Sequence, residues 1–473
     1  MTLTAKISAA TIAAAGICLP MAGYSRTASD PQPNVILIMA DDLGHGDLGC
    51  KGHETLKTPR LDGLAESGLE LTNYYSGATV CTPSRMALMT GSYPVRLGWR
   101  QGVVGYMMDA LDGLHPDAVT LAEVFRDAGY ATGMSGKWHL GGLPETRPHR
   151  QGFETAYYIS MSNNQTKKVW RNDEVIEDPF ENRLLTRQFT DEALEFIRTE
   201  ATGPFFLYLA YSAPHFPVEA NPAWEGRSQY GAYGDVVEEL DACVGEVLDL
   251  VSELALEKRT IVLFTSDNGP NPGEAASSLP FRGEKWSALE GGTRVPAIIS
   301  WPGTLPAGAS HEGLSCALDL LPTLCSAAGI DMRARSDSLP AVDGLDLWNS
   351  WTDQDSKHPR TELLFWHGRD PAPQAIRSGK WKLFLRRRDA LEGSGTRRRT
   401  QEQAKRLAIY LEASSGEEDQ GPMLINLETD PGETRDVREE FPLIVEQLSS
   451  RLVELSTELS SSESLSVFGP SDR

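Results

Sequence analysis

Four predicted strands in this chain each end in a polar cluster. Asn34–Ala40 (NVILIMA) runs into Asp41-Asp42, Thr132–Ser135 into Lys137 and His139, Phe205–Tyr211 into His215, and Thr260–Thr265 (TIVLFT) into Asp267-Asn268. Taken singly, each cluster is an ordinary strand-exit turn or helix cap. In an open α/β sheet, however, ligands collect beyond the carboxyl ends of the strands, so four clusters at one end of one sheet make a site. Asp41, Asp42, Asp267 and Asn268 offer three carboxylates and an amide oxygen. These hard donors suit Ca2+ or Mg2+ better than zinc.

The segment Cys81-Thr82-Pro83-Ser84-Arg85 carries the most specific signal. Pro83 fits a first helical turn, where its missing N–H costs nothing. Cys81 then stands at a helix N-terminus, where free N–H groups and the helix dipole favour an anion. Arg85 can fold back over the same spot. In isolation such a cysteine would be a buried structural thiol; inside this pattern that reading gives way to an anion-binding one.

The elements that must carry these residues alternate. Helical patterns near Thr58–Ser67, from about Thr82, at Ala118–Ala128 and at Asp235–Leu256 separate the strands, with further strands near Leu69–Tyr75 and Val295–Trp301. That order predicts an α/β fold, a mainly parallel doubly wound sheet flanked by helices, over residues 33–355. Beyond residue 355 the short strands Glu362–Trp366, Gln374–Arg377, Trp381–Leu385 and Leu424–Leu427 predict a smaller C-terminal α+β subdomain, residues 356–460. It should hold an antiparallel sheet covered by a helix over Pro442–Leu459. Arg386–Gln420 reads as a solvated loop and residues 461–473 as a mobile tail.

With 44 Lys+Arg against 66 Asp+Glu in 473 residues, the net charge of −22 excludes a nucleic-acid binder, which needs a basic face. It equally disfavours a polybasic membrane contact. Cysteines 18, 50, 81, 243, 316 and 325 form no Cys-x-x-Cys pair, so neither a zinc knuckle nor a dithiol redox site is expected, and Cys316 and Cys325 read as two buried thiols. At the N-terminus Lys6 precedes the uncharged, Ala-rich Ile7–Gly23, which predicts a signal peptide over residues 1–25 with cleavage after Ser25. The expected product is exported, periplasmic or secreted, with no stable membrane insertion after cleavage.

Cys-Thr-Pro-Ser-Arg, continuing as Met86–Gly91 (MALMTG), resembles the signature of the type I sulfatases of the alkaline phosphatase superfamily. Gly136–Gly141 (GKWHLG) resembles their second signature, and Leu424–Asp436 (LINLETDPGETRD) is similar to their last strand and turn. The resemblance, arylsulfatase A-like in flavour, runs from about Asn34 to Asp436. It implies that a formylglycine-generating enzyme converts Cys81 to formylglycine, whose gem-diol attacks sulfur to give a covalent sulfated intermediate. It implies one Ca2+ per subunit, with Mg2+ as the alternative, on Asp41, Asp42, Asp267, Asn268 and the modified Cys81. Arg85 and Lys137 would stabilise the diol, and His139 would deprotonate its second hydroxyl. His215 would protonate the leaving alcohol, and Lys285, just ahead of Glu290–Arg294 (EGGTR), would neutralise charge there.

The implied activity is sulfate-ester hydrolysis, on a sulfated small molecule or carbohydrate. Two alternatives stay open: a phosphonate monoester or phosphodiester hydrolase using the same nucleophile, and a non-catalytic sulfated-glycan binder if Cys81 stays unmodified. Selectivity should lie in the loops Arg100–Met108, Ser160–Asn182 and Pro270–Arg282, where Trp99, Arg100, Tyr106 and Trp170 could meet a sugar.

Overall fold

A computed structural model describes residues 32–332, 341–353, 355–386, 421–461 and 465–472. The predicted signal peptide and nearly all of the predicted loop Arg386–Gln420 lie outside the described residues. The elements used below are β1 (Asn34–Ala40), α1 (Pro59–Ser67), β2 (Leu69–Leu71), α2 (Cys81–Thr90), α3 (Leu121–Asp127), β3 (Ala131–Lys137), β4 (Thr155–Ile159), β5 (Val169–Arg171) and β6 (Glu174–Glu177). They continue with α4 (Leu185–Glu200), β7 (Phe205–Ala210), α5 (Gly231–Glu253), β8 (Thr260–Ser266), β9 (Ala297–Ser300), β10 (Ala309–His311) and α6 (Leu320–Ala328). The C-terminal part adds β11 (Glu362–Phe365), β12 (Ala375–Ser378), β13 (Trp381–Phe384), β14 (Met423–Asn426) and α7 (Pro442–Ser461).

Ten strands form the main sheet in the order β10-β2-β9-β8-β1-β7-β3-β4-β5-β6. The five central strands β8, β1, β7, β3 and β4 are parallel neighbours. Antiparallel β9 on one side, and β5 and β6 on the other, extend it. Alternation along β1 explains the two layers. Val35, Leu37 and Met39 pack with α2, α3 and α6, while Ile36, Ile38 and Ala40 pack with α1, α4 and α5. Both faces are covered, which is why the strand reads as one unbroken apolar run.

The C-terminal strands pair antiparallel in the order β11-β12-β13-β14. Their Leu363, Phe365, Ile376 and Leu424 join the same core as Met89 and Tyr75, so the change near residue 355 is one of sheet type within a shared core. The end of the chain departs from expectation. Phe468 pairs with Gly113 through both backbone hydrogen bonds and sets its ring edge-on to His115, so this part of the predicted mobile tail is docked. The strands β4, β5, β6 and β10 and the helix α4 add to the predicted elements. None of the five described cysteines is in a disulfide, Cys316 and Cys325 included.

Candidate active site

The adjacency of β8, β1, β7 and β3 brings their carboxyl ends side by side, and each delivers one of the predicted clusters. Asp41 and Asp42 leave β1, Lys137 ends β3 with His139 just beyond, His215 follows β7, and Asp267-Asn268 follows β8. The N-terminus of α2 enters from one face of the sheet, with Val80 as its cap and Cys81 as its first residue. Asp42 and His139 both have left-handed backbones, φ 66° and 59°. Such a conformation in non-glycine residues is costly and typical of sites that hold side chains to a task. Gly269 lets the Asp-Asn-Gly turn press against the Glu290–Arg294 segment, because a Cβ there would lie 1.9 Å from the Gly291 carbonyl oxygen.

All ten predicted site residues are brought together and buried. Lys137 Nζ donates to Asp41 Oδ2 at 2.5 Å. Arg85 holds Asp267 Oδ2 through Nε and Nη2, at 3.0 and 2.8 Å, and donates to the Lys137 carbonyl. Lys285 Nζ reaches Asp42 Oδ1 at 2.6 Å and Cys81 Sγ at 3.2 Å. Cys81 Sγ lies 3.5 Å from Asp41 Oδ1. Asn268 Nδ2 donates to Asp42 Oδ1.

Electrostatics divide these groups by role. Burial works to raise the Asp41 carboxyl, but Lys137, His215 and Arg85 overcome it and hold it below its ordinary value. Burial opposes the charge on Lys285, yet the Asp42 carboxylate outweighs it and the ammonium is held charged. Burial pushes the Cys81 thiol up to about 12 despite Lys137 and Lys285 nearby. Burial, then Lys137, drives His139 well below its ordinary value. Its Nε2 donates to the Val104 carbonyl at 2.9 Å, because a carbonyl can only accept. The neutral ring therefore keeps its lone pair on Nδ1, which is buried without a partner. His215 is also lowered by burial, partly offset by Asp41 and Asp42. Its Nδ1 donates to the Phe216 carbonyl, leaving Nε2 3.7 Å from Asp42 Oδ2.

The donor set fits a hard cation. One ligand atom each from Asp41, Asp42, Cys81 and Asp267 lies within 4.8 Å of the others. Asn268 Oδ1 is buried with no hydrogen-bond donor, an orphaned acceptor that a metal ion would satisfy.

Two contributors escaped the sequence. The Val104 carbonyl fixes the His139 tautomer, and Thr82 Oγ1 clamps both partners by donating to the His139 carbonyl and accepting from Val104 N. A backbone oxygen has no residue type to read, so the pair Val103-Val104 carried no signal. Of the candidate sugar contacts, Trp99 is buried and donates to the Gly102 carbonyl, which makes it packing. Trp170 lies under the Arg147 guanidinium, whereas Tyr106 is 51% exposed.

The family model described as "Sulfatase" matches residues 33–330. N-acetylgalactosamine-6-sulfatase of Canis lupus familiaris is 34% identical over 467 residues, covering 91% of this chain and 86% of that protein. Arylsulfatase A of Homo sapiens is 36% identical over 440 residues, covering 85% and 82%. A solved structure from Bacteroides thetaiotaomicron, described with the metabolism of multiple glycosaminoglycans, superposes with a TM-score of 0.75 at 26% identity, covering 90% of this chain and 100% of that one.

Proposed function

The chain belongs to the sulfatase family and is a sulfuric ester hydrolase; from that premise we propose that it is a metal-dependent, formylglycine-bearing enzyme acting on sulfated carbohydrates. The observation that carries this is the placement of Cys81, first residue of α2, between the Asp41 carboxylate and the Lys285 ammonium. A thiol held near 12 is protonated at neutral pH and is a poor nucleophile. Formylglycine at this position, hydrated to a gem-diol, would supply an oxygen nucleophile in its place. Asp41, Asp42, Asp267 and Asn268, with the modified residue 81, would hold one Ca2+, or Mg2+, which supplies positive charge against the nucleophile and the sulfate.

The chain's own residues do the rest. Arg85, fixed on Asp267 and the Lys137 carbonyl, and Lys137, fixed on Asp41, hold two positive charges beside residue 81 without reorganising. Nδ1 of neutral His139 would accept a proton from the second hydroxyl of that residue as its C–O bond to the sulfate breaks, which releases sulfate and restores the aldehyde. His215 would give the departing alcohol oxygen a proton from Nε2, a step that needs the imidazolium which Asp41 and Asp42 favour against burial, and Lys285 would neutralise the charge that develops there. The permanent cations Arg85, Lys137 and Lys285 let a sulfate enter a protein of net charge −22. The sugar class is supported by the names of the relatives, one of which acts on N-acetylgalactosamine 6-sulfate.

A formylglycine-generating enzyme would be the maturation partner, and the uncharged Ile7–Gly23 after Lys6 supports export to the periplasm or medium. Among the described residues no helix is long and apolar enough to cross a membrane.

The test is the mass of the Cys81 peptide, read alongside hydrolysis of p-nitrophenyl sulfate and of a phosphodiester. The expected result is an aldehyde at residue 81, sulfatase activity in excess, and no turnover by Cys81→Ala with its fold retained. Full activity in Cys81→Ala would end the mechanism. An unmodified thiol in inactive protein would favour a sulfated-glycan binder, and dominant phosphodiester cleavage a phosphohydrolase.

A further inference from the structure

Beside Lys285 the chain builds a second feature that the chemistry above leaves unused. Trp286 is held at φ 77°, a costly backbone for so large a residue, by a hydrogen bond from its N–H to the Thr79 carbonyl. Its half-buried ring packs against Val80, Cys81 and Val103, alongside the nucleophile position. Two other loops converge on that ring. Tyr106 meets it edge-on, with centroids 5.9 Å apart. Arg369, from the turn between β11 and β12, sets its guanidinium carbon 5.1 Å from the ring centroid. Gly368 permits the approach, since a Cβ there would lie 2.9 Å from the Trp286 ring, and its carbonyl is tied to Gly102 N at 2.7 Å.

Arg369 is exposed, and among the described residues no carboxylate pairs with it. The neighbouring Asp370 is engaged with Ala372 N instead. An unpaired guanidinium laid over an aromatic ring is oriented with its donor fork free. In so acidic a protein it marks a place where an anion is wanted. The ring beneath suits the apolar face of a pyranose, and the fork suits a carboxylate or sulfate.

We propose that Arg369, with Trp286 and Tyr106, forms a subsite for a second anionic group, so that the enzyme selects a saccharide carrying a carboxylate or second sulfate beside the ester it cleaves. This deepens the sulfatase reading and rests on it. Arg369 is a specificity-determining residue, brought to the site by the small C-terminal sheet.

The experiment compares kcat/KM for an N-acetylhexosamine monosulfate, the same sugar joined to a uronic acid, and a disulfated hexosamine, in wild-type protein and in Arg369→Ala and Arg369→Lys. Wild type should prefer at least one doubly anionic probe by about tenfold or more, the range for a charged hydrogen bond. Arg369→Ala should erase that ratio and Arg369→Lys restore part of it. Preference for the uronate probe alone assigns a carboxylate, and for the disulfated probe alone a second sulfate. Equal use of all three probes by wild type, or a preference that survives Arg369→Ala, overturns the proposal. If no sulfate ester is turned over, it is the sulfatase reading that fails. Titration calorimetry with the uronate and disulfated probes then decides the subsite: equal Kd for wild type and Arg369→Ala overturns it, and weakened binding to Arg369→Ala supports it.

Discussion

Lys285 and Glu290 stand five residues apart in the chain, yet they belong to two buried charge clusters built on opposite terms. Around Lys382, on β13, every charge meets an opposite one. Its ammonium sits 2.8 Å from Glu290 and 2.9 Å from Glu433, and Glu290 N donates to Glu433 Oε2. Tyr75 donates to Glu290, and Arg294 and Arg377 complete the ring. Burial opposes the Glu290 charge, but Lys382 and the two arginines hold its carboxyl down to about 2, whereas burial pushes Glu433 up to about 7. Around Cys81 the same ingredients are left open: Asn268 Oδ1 and His139 Nδ1 have no partner. A cluster whose charges pair with one another holds the fold together, and one that also leaves an amide oxygen and a ring nitrogen facing a nucleophile position awaits a ligand.

The sharpest way to break this contrast is Lys382→Met. It leaves two buried glutamates facing one another without their shared cation, so a loss of about 3–5 kcal/mol in unfolding free energy is expected from denaturant titration. A loss below about 1 kcal/mol would mean that the ring is not structural. Lys285→Ala is the counterpart in the open cluster. Its expected cost is kinetic, a tenfold to thousandfold fall in kcat/KM for a sulfate ester, the range for removing one charge-stabilising donor. Its stability cost should be smaller than that of Lys382→Met, because Asp42 keeps Asn268. If Lys285→Ala is kinetically silent, its place in the chemistry is withdrawn.

How much of this was legible followed from which residues announce themselves. The four strand ends were, because buried parallel strands read as apolar runs and their exits carry charged side chains of distinct chemistry. Lys285 and the role of His215 came only through the resemblance, since a lysine in a loop and a histidine after proline look like ordinary surface. The amphipathic helix α4 is legible from the four-residue spacing of Leu185, Phe189, Ala193 and Ile197 on one face. The edge strand β6 was not readable, because the exposed Glu174, Val175 and Ile176 show no inward face. Nor was the Lys382 ring, whose members are scattered from Tyr75 to Glu433 and meet only when the two sheets pack.

Asp47 tests a case between the two clusters, a buried carboxylate satisfied without any cation. Its Oδ2 accepts from Gly44 N and Tyr233 Oη, at 2.8 and 2.7 Å, and its Oδ1 from Ser277 N at 2.7 Å. It therefore ties the turn after Asp41-Asp42 to the loop that leads to Lys285. Burial outweighs these hydrogen bonds and pushes its pKa up from 3.8 to about 7. Because the folded-state value is raised, its contribution to stability is full below about pH 4 and is lost as pH rises through about 7. Over that window the native state keeps a proton that the unfolded chain has released, a slope of up to about 1.4 kcal/mol per pH unit. Glu239, also raised to about 7, slopes the same way and would remain in a variant. Asp47→Asn stays neutral throughout, so its stability relative to wild type should rise steadily between about pH 4 and pH 7 in parallel denaturant titrations. Parallel curves for the two proteins would show that Asp47 is ionised in the fold, and that three neutral donors can replace the cation which the other two clusters require.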